Sequence, residues 1–130
     1  MKIPSQNFIV KGTVYPFDVM FSLNQTDDEL TAYLRGKTKN YKRSVKELAL
    51  SSTSQGKSLM TNENQTIVRL IKFDDSPQQK GYLTHEIFHA CSFILHEAGV
   101  EYKFDISDEA YAYLIGWLTQ EFYSNLKTKK

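Results

Sequence analysis

Residues 85–89 read His-Glu-Ile-Phe-His and place two imidazoles and a carboxylate within one short stretch. Positions i and i+4 lie on the same helical face about one turn apart, so on a helix both histidines can reach one metal ion. Neutral imidazole nitrogen binds zinc at about 2.0–2.1 Å, and two such ligands plus a carboxylate and a water fill a tetrahedron. This donor set suits zinc, although related divalent ions bind such ligands too. Glu86 projects beside the pair. There it can take a proton from the water on the metal and later pass it to a leaving amine, as the general base of a metal-assisted hydrolysis.

Helix context lifts this short motif above chance. Residues 82–97 contain no Pro or Gly, and Gly99 is a stop signal just beyond them. Leu83, Ile87, Ala90, Ile94 and Leu95 supply an apolar side, while His85, His89 and Ser92 fall on another. Cys91 lies about 240° round the helix from His85 and reads as a small buried residue.

Two histidines bind a metal weakly, so a third ligand is required. His96 is about 10 Å further along a continuous helix, too far to share the ion. A glycine three residues after the second histidine would break the helix and bring a later histidine round, but Ser92 stands there. His96 therefore reads as a polar residue interacting with the helix C-terminus. Glu109 is the preferred third ligand. It starts a second helix over 107–126, and a tight turn at Gly99 would fold that helix back against the first. Ala112 and Gly116 follow Glu109 along one stripe and permit close approach. Asp108 competes for the metal or serves as the acidic partner of a ligating histidine. Tyr102, Tyr111 and Tyr113 are each able to supply a hydroxyl to an oxyanion, and nothing in the sequence selects one.

The motif followed by Asp108-Glu109-Ala110-Tyr111-Ala112 resembles the gluzincin pattern, in which a glutamate on a following helix completes the site. The short chain, the strand-like residues 66–73 and the phrase Leu83-Thr84-His85-Glu86 resemble minigluzincins. More narrowly, Gln25-Thr26-Asp27-Asp28-Glu29-Leu30 and Asp108-Glu109-Ala110-Tyr111-Ala112-Tyr113-Leu114 look like small peptidase-like proteins encoded by tailed bacteriophages. The resemblance is specific over residues 82–123 and loose over 1–65. It implies a zinc-dependent peptidase acting on a peptide or protein substrate, with the strand before the motif helix able to pair with an extended peptide. It also implies a rival function: a non-catalytic virion or assembly component that keeps the metallopeptidase fold and binds phage structural proteins.

The elements that must position these residues follow from the local pattern. Residues 7–10 and 13–23 are rich in Phe, Val and Tyr and read as strands, with Pro16 favouring an edge or a break. Thr26-Asp27-Asp28-Glu29 is a capping box opening a short helix that Gly36 stops. Residues 47–52 read as a strand, Ser54–Lys57 as a turn, and residues 66–73 as the strongest strand in the chain. After Pro77 the pattern is helical, with Ser107 as candidate N-cap of the second long helix. Strands and a short helix followed by two longer helices predict an α+β fold in a single zincin-like domain spanning residues 1–130.

Composition narrows the setting. With 130 residues, 41% hydrophobic and 24% charged, the chain is expected to bury a core of its own. A net charge of +1 argues against action mainly through one strong electrostatic field. The basic residues Arg35, Lys37, Lys39, Lys42, Arg43 and Lys46 read as a solvated surface, which argues against a nucleic-acid partner. The single cysteine forbids an intramolecular disulfide and fits a reducing compartment. No run of 18 apolar residues and no signal-peptide pattern is present. The expectation is no membrane contact and a cytoplasmic location (host cytoplasm for a phage product), or association with the virion.

Overall fold

In β2, Val19, Phe21 and Leu23 alternate with Met20 and Ser22, and all five are buried, so this strand (Asp18–Leu23) must be covered on both faces. The computed structural model, which describes residues 2–49, 55–61 and 63–129, supplies both covers. One four-stranded sheet carries the order β1-β2-β4-β3, with β1 at Gln6–Val10, β3 at Gly56–Met60 and β4 at Gln65–Leu70. Helices α3 (Pro77–Glu97) and α4 (Asp108–Asn125) cover one face together with Val19, Phe21, Leu23, Val68 and Leu70. Helices α1 (Asp27–Leu34) and α2 (Tyr41–Glu47) belong to the other, where Met20, Ile67, Leu30, Leu34 and Leu48 form a smaller core. The α+β expectation is met.

The β1–β2 pair is antiparallel, and β2–β4 is parallel. Parallel neighbours need a long crossover, and α1, α2 and β3 all lie within it. The expected strand over 13–23 begins only at Asp18. Ahead of it Phe17 N–H bonds the Tyr15 carbonyl, and a Cβ at Gly12 would lie 2.3 Å from that same oxygen, so only glycine fits this bend.

Three expectations fail for local reasons. The strand read over 47–52 does not form in its described part. Glu47 ends α2, where it pairs with Arg43 at 3.1 Å, and Leu48 is its buried cap; residues 50–52 lie outside the described residues. The turn read at Ser54–Lys57 is strand from Gly56 onward, and Ser54 lies outside the described residues. Gly56 is there for close approach: a Cβ would sit 2.6 Å from Leu70 Cδ2 and 3.1 Å from Glu86 Cγ. Finally, β4, the strand preceding the motif helix, has β2 on one side and β3 on the other, so its edges are taken. The sheet edge beside α3 is β3 instead.

The start of α1 and the glycine stops after α1 and α3 are set as the sequence suggests. Thr26 Oγ1 accepts from Glu29 N–H at 3.1 Å, and Glu29 accepts from Thr26 N–H at 3.0 Å, completing the capping box. Gly36 and Gly99 both take positive φ. At Gly99 the bonds Gly99 N–H to the His96 carbonyl and Val100 N–H to the Leu95 carbonyl form a Schellman stop. Helix α3 starts earlier than residue 82, because Ser76 caps it at Gln79 N–H and Pro77 fits its first turn. Ser107 occupies the expected N-cap position of α4, but its side chain makes no capping hydrogen bond. Its hydroxyl donates to the Glu101 carbonyl and accepts from Lys103 N–H, which closes the 101–107 loop upon itself.

A candidate metal centre on the exposed face of α3

The uninterrupted helix α3 brings His85 and His89 together one turn apart. Their Nε2 atoms are 3.2 Å apart, with ring centroids 4.8 Å apart and planes at 74°. Two nitrogens bound to one tetrahedral ion at about 2.0–2.1 Å lie about 3.3 Å from each other, so the imidazoles already stand at the spacing a shared metal requires. The His85 side chain is 66% exposed, and His89 is half-buried. The opposite side of the helix carries Leu83, Ile87, Ala90, Cys91 and Ile94 into the core. The expected division of α3 into an apolar and a histidine face is therefore present.

Glu86 lies about 100° round the helix, at the boundary between solvent and sheet, and is buried. The Ser58 hydroxyl on β3 donates to Glu86 Oε1 at 2.8 Å and approaches the Glu86 backbone carbonyl at 3.1 Å. The other carboxylate oxygen, Oε2, is 3.9 Å from His85 Nε2. His85, Glu86 and His89 thus share one small surface region.

The residues on α4 are placed differently. Glu109 is exposed, whereas Asp108 is partly buried and lines a hollow with Phe88, Tyr102, Tyr111, Ala112 and Ile115. Phe88 immediately precedes His89, and their ring centroids are 6.1 Å apart. Of the two first-turn acids, Asp108 is the one that shares this hollow with Phe88 of α3. Among the described residues, no three His, Cys, Asp or Glu side chains gather closely enough to hold a metal ion. The histidine pair fits a divalent ion, and the third ligand is not brought up to it.

The remaining candidates separate by geometry. The Tyr111 hydroxyl donates to the Val100 carbonyl at 3.0 Å and is committed to the loop. Tyr113 lies with Ile94, Leu114 and Trp117 on the other flank of α4, beside residues 12–17. Tyr102 is exposed and packs edge-on against Tyr111 at 5.2 Å, in the hollow with Phe88. His96 is exposed in the last turn of α3. Burial pushes the Cys91 thiol up to about 12, which makes it a core group rather than a ligand or nucleophile.

Two residues escaped the sequence reading. Ser58 had no local signal, because its role depends on β3 passing beneath Glu86. Arg69 had one: a cation inside an apolar strand. It is 1% exposed, on the sheet face away from the histidines, and donates to the Leu48 and Gln25 carbonyls at 3.1 and 3.0 Å. None of the helices among the described residues is long and apolar enough to cross a membrane. Compared with family models, curated proteins and solved structures, the chain finds no match.

Proposed function

We propose that this chain is a zinc-dependent peptidase of the minigluzincin kind, with His85 and His89 holding the metal and Glu86 as general base. The observation that carries the reading is the 3.2 Å separation of two imidazole nitrogens directly beside an anchored, buried carboxylate. A bound zinc ion supplies Lewis-acid polarisation of a peptide carbonyl and lowers the pKa of an adjacent water. Glu86 Oε2, on the His85 side, takes the proton and returns it to the leaving amine. The third protein oxygen that this reading requires would be Glu109 or its neighbour Asp108, in the first turn of α4. The substrate is a peptide or protein chain.

The test is elemental analysis of protein purified without added metal, alongside hydrolysis of an internally quenched peptide library. About one zinc per chain in the wild type and little in His89→Ala, with hydrolysis lost in Glu86→Gln, is the expected result. Hydrolysis at the wild-type rate in Glu86→Gln overturns the mechanism.

A second reading, a phage particle component that keeps this fold without turnover, is favoured by Phe104 and Ile106, which are 80% and 79% exposed on the loop before α4. Zinc binding without hydrolysis, together with a fixed copy number in purified particles, would favour it.

A further inference from the structure

Ser58 is joined to Glu86 by the sheet, not by the helix. Register places Gly56, Ser58 and Met60 of β3 opposite Leu70, Val68 and Thr66 of β4, on the face that α3 covers. Gly56 gives the Glu86 stem room, since a Cβ there would stand 3.1 Å from Glu86 Cγ. Two residues on, Ser58 Oγ meets the carboxylate itself. It lies 2.8 Å from Oε1 and 3.1 Å from the Glu86 backbone oxygen. A hydroxyl carries one proton, and the nearer, charged oxygen is the stronger acceptor.

The consequence concerns the other oxygen. Among the described residues, Glu86 Oε2 accepts no hydrogen bond and lies 3.9 Å from His85 Nε2, on the histidine side. A glutamate has three rotatable side-chain torsions, and an unrestrained carboxylate would sample orientations that turn both oxygens from the histidines. Fixing Oε1 to the strand removes that freedom.

We propose that Ser58 is the positioning residue of the general base: it holds Oε1 so that Oε2 is presented at the histidine pair. This rests on the peptidase reading for its catalytic meaning, while the Ser58–Glu86 contact stands on geometry alone. It is also a specific role for the edge strand, because β3 reaches the site through one side chain.

Two measurements on the full chain test it. With one equivalent of zinc and the quenched peptide library, Ser58→Ala is expected to lower kcat about ten- to hundredfold with KM within about twofold, from the loss of one charge-assisted hydrogen bond. Ser58→Thr, which keeps the hydroxyl, should restore most of that loss. In a Glu86→Ala background, Ser58→Ala should cost nothing further, because it acts only through Glu86. Equal losses in both backgrounds, or an unchanged kcat, overturn the proposal. The second measurement needs no activity: a double-mutant cycle of Ser58→Ala and Glu86→Ala on unfolding by urea. Losses that are clearly less than additive support the contact, and additive losses overturn it. A wild type that hydrolyses no library peptide overturns the peptidase reading, and the urea cycle then decides the Ser58–Glu86 contact by itself.

Discussion

Arg69 Nη2 in the middle of the sheet lies 2.8 Å from Asp27 Oδ1 at the start of α1, and the two side chains are 1% and 63% exposed. The buried guanidinium links three elements, since it also donates to the Leu48 carbonyl at the end of α2 and to the Gln25 carbonyl before α1. Its cost of burial is offset only while these acceptors are in place. Asp27→Ala is expected to destabilise the fold by about 1–3 kcal/mol in urea unfolding, through a cation left with carbonyl partners alone. Adding Arg69→Met should recover part of that loss, because the stranded charge is then gone. A double variant as unstable as the summed singles would contradict this account.

The proposed metal centre predicts a division between the two acids of α4. Asp108→Asn and Glu109→Gln should differ in zinc retention during dialysis against a weak chelator, and the variant that loses the ion identifies the third ligand. Retention at wild-type level in both would place that ligand elsewhere.

On the proposed peptidase reading, Glu86→Gln separates binding from chemistry. The amide keeps the shape and can still accept from Ser58, but it cannot take a proton. Hydrolysis should drop by about 10²–10⁴-fold while zinc content stays near that of the wild type. Loss of zinc in this variant would mean that Glu86 is a ligand.

The capping box carries a pH signature. Hydrogen bonds from Thr26 N–H and the Ser5 hydroxyl hold the Glu29 carboxyl below its ordinary value. A depressed folded-state pKa contributes stability that is present above the ordinary carboxylate range and is lost as pH falls through the folded value. Melting temperature should therefore decline on acidification more steeply in the wild type than in Glu29→Gln. Parallel acid limbs would show that this carboxylate contributes nothing.

At Gly56 a methyl group has no room. Gly56→Ala places a Cβ 2.6 Å from Leu70 Cδ2 and 3.1 Å from Glu86 Cγ, and overpacking of this kind costs about 1–3 kcal/mol. Thermal unfolding of the variant measures it, and a melting temperature equal to the wild type would mean that β3 shifts freely.

The sequence by itself determined what depends on neighbours along the chain. The His85–His89 pair needs only four residues of unbroken helix, the Thr26–Glu29 box only three, and the Gly36 and Gly99 stops only one positive φ each. Periodicity likewise separated the buried face of α3 from its histidine face. What only the tertiary structure decided involves residues far apart in the chain. Ser58 meets Glu86 because β3 adds to the sheet edge under α3, a pairing that no local pattern encodes. The same placement seals β4, the strand that the resemblance to minigluzincins implied could pair with an extended peptide. Gly56 carries the lesson most directly: glycine signals a turn when judged by its own backbone, yet here it is extended, and what requires its missing side chain is the stem of a glutamate thirty residues further along.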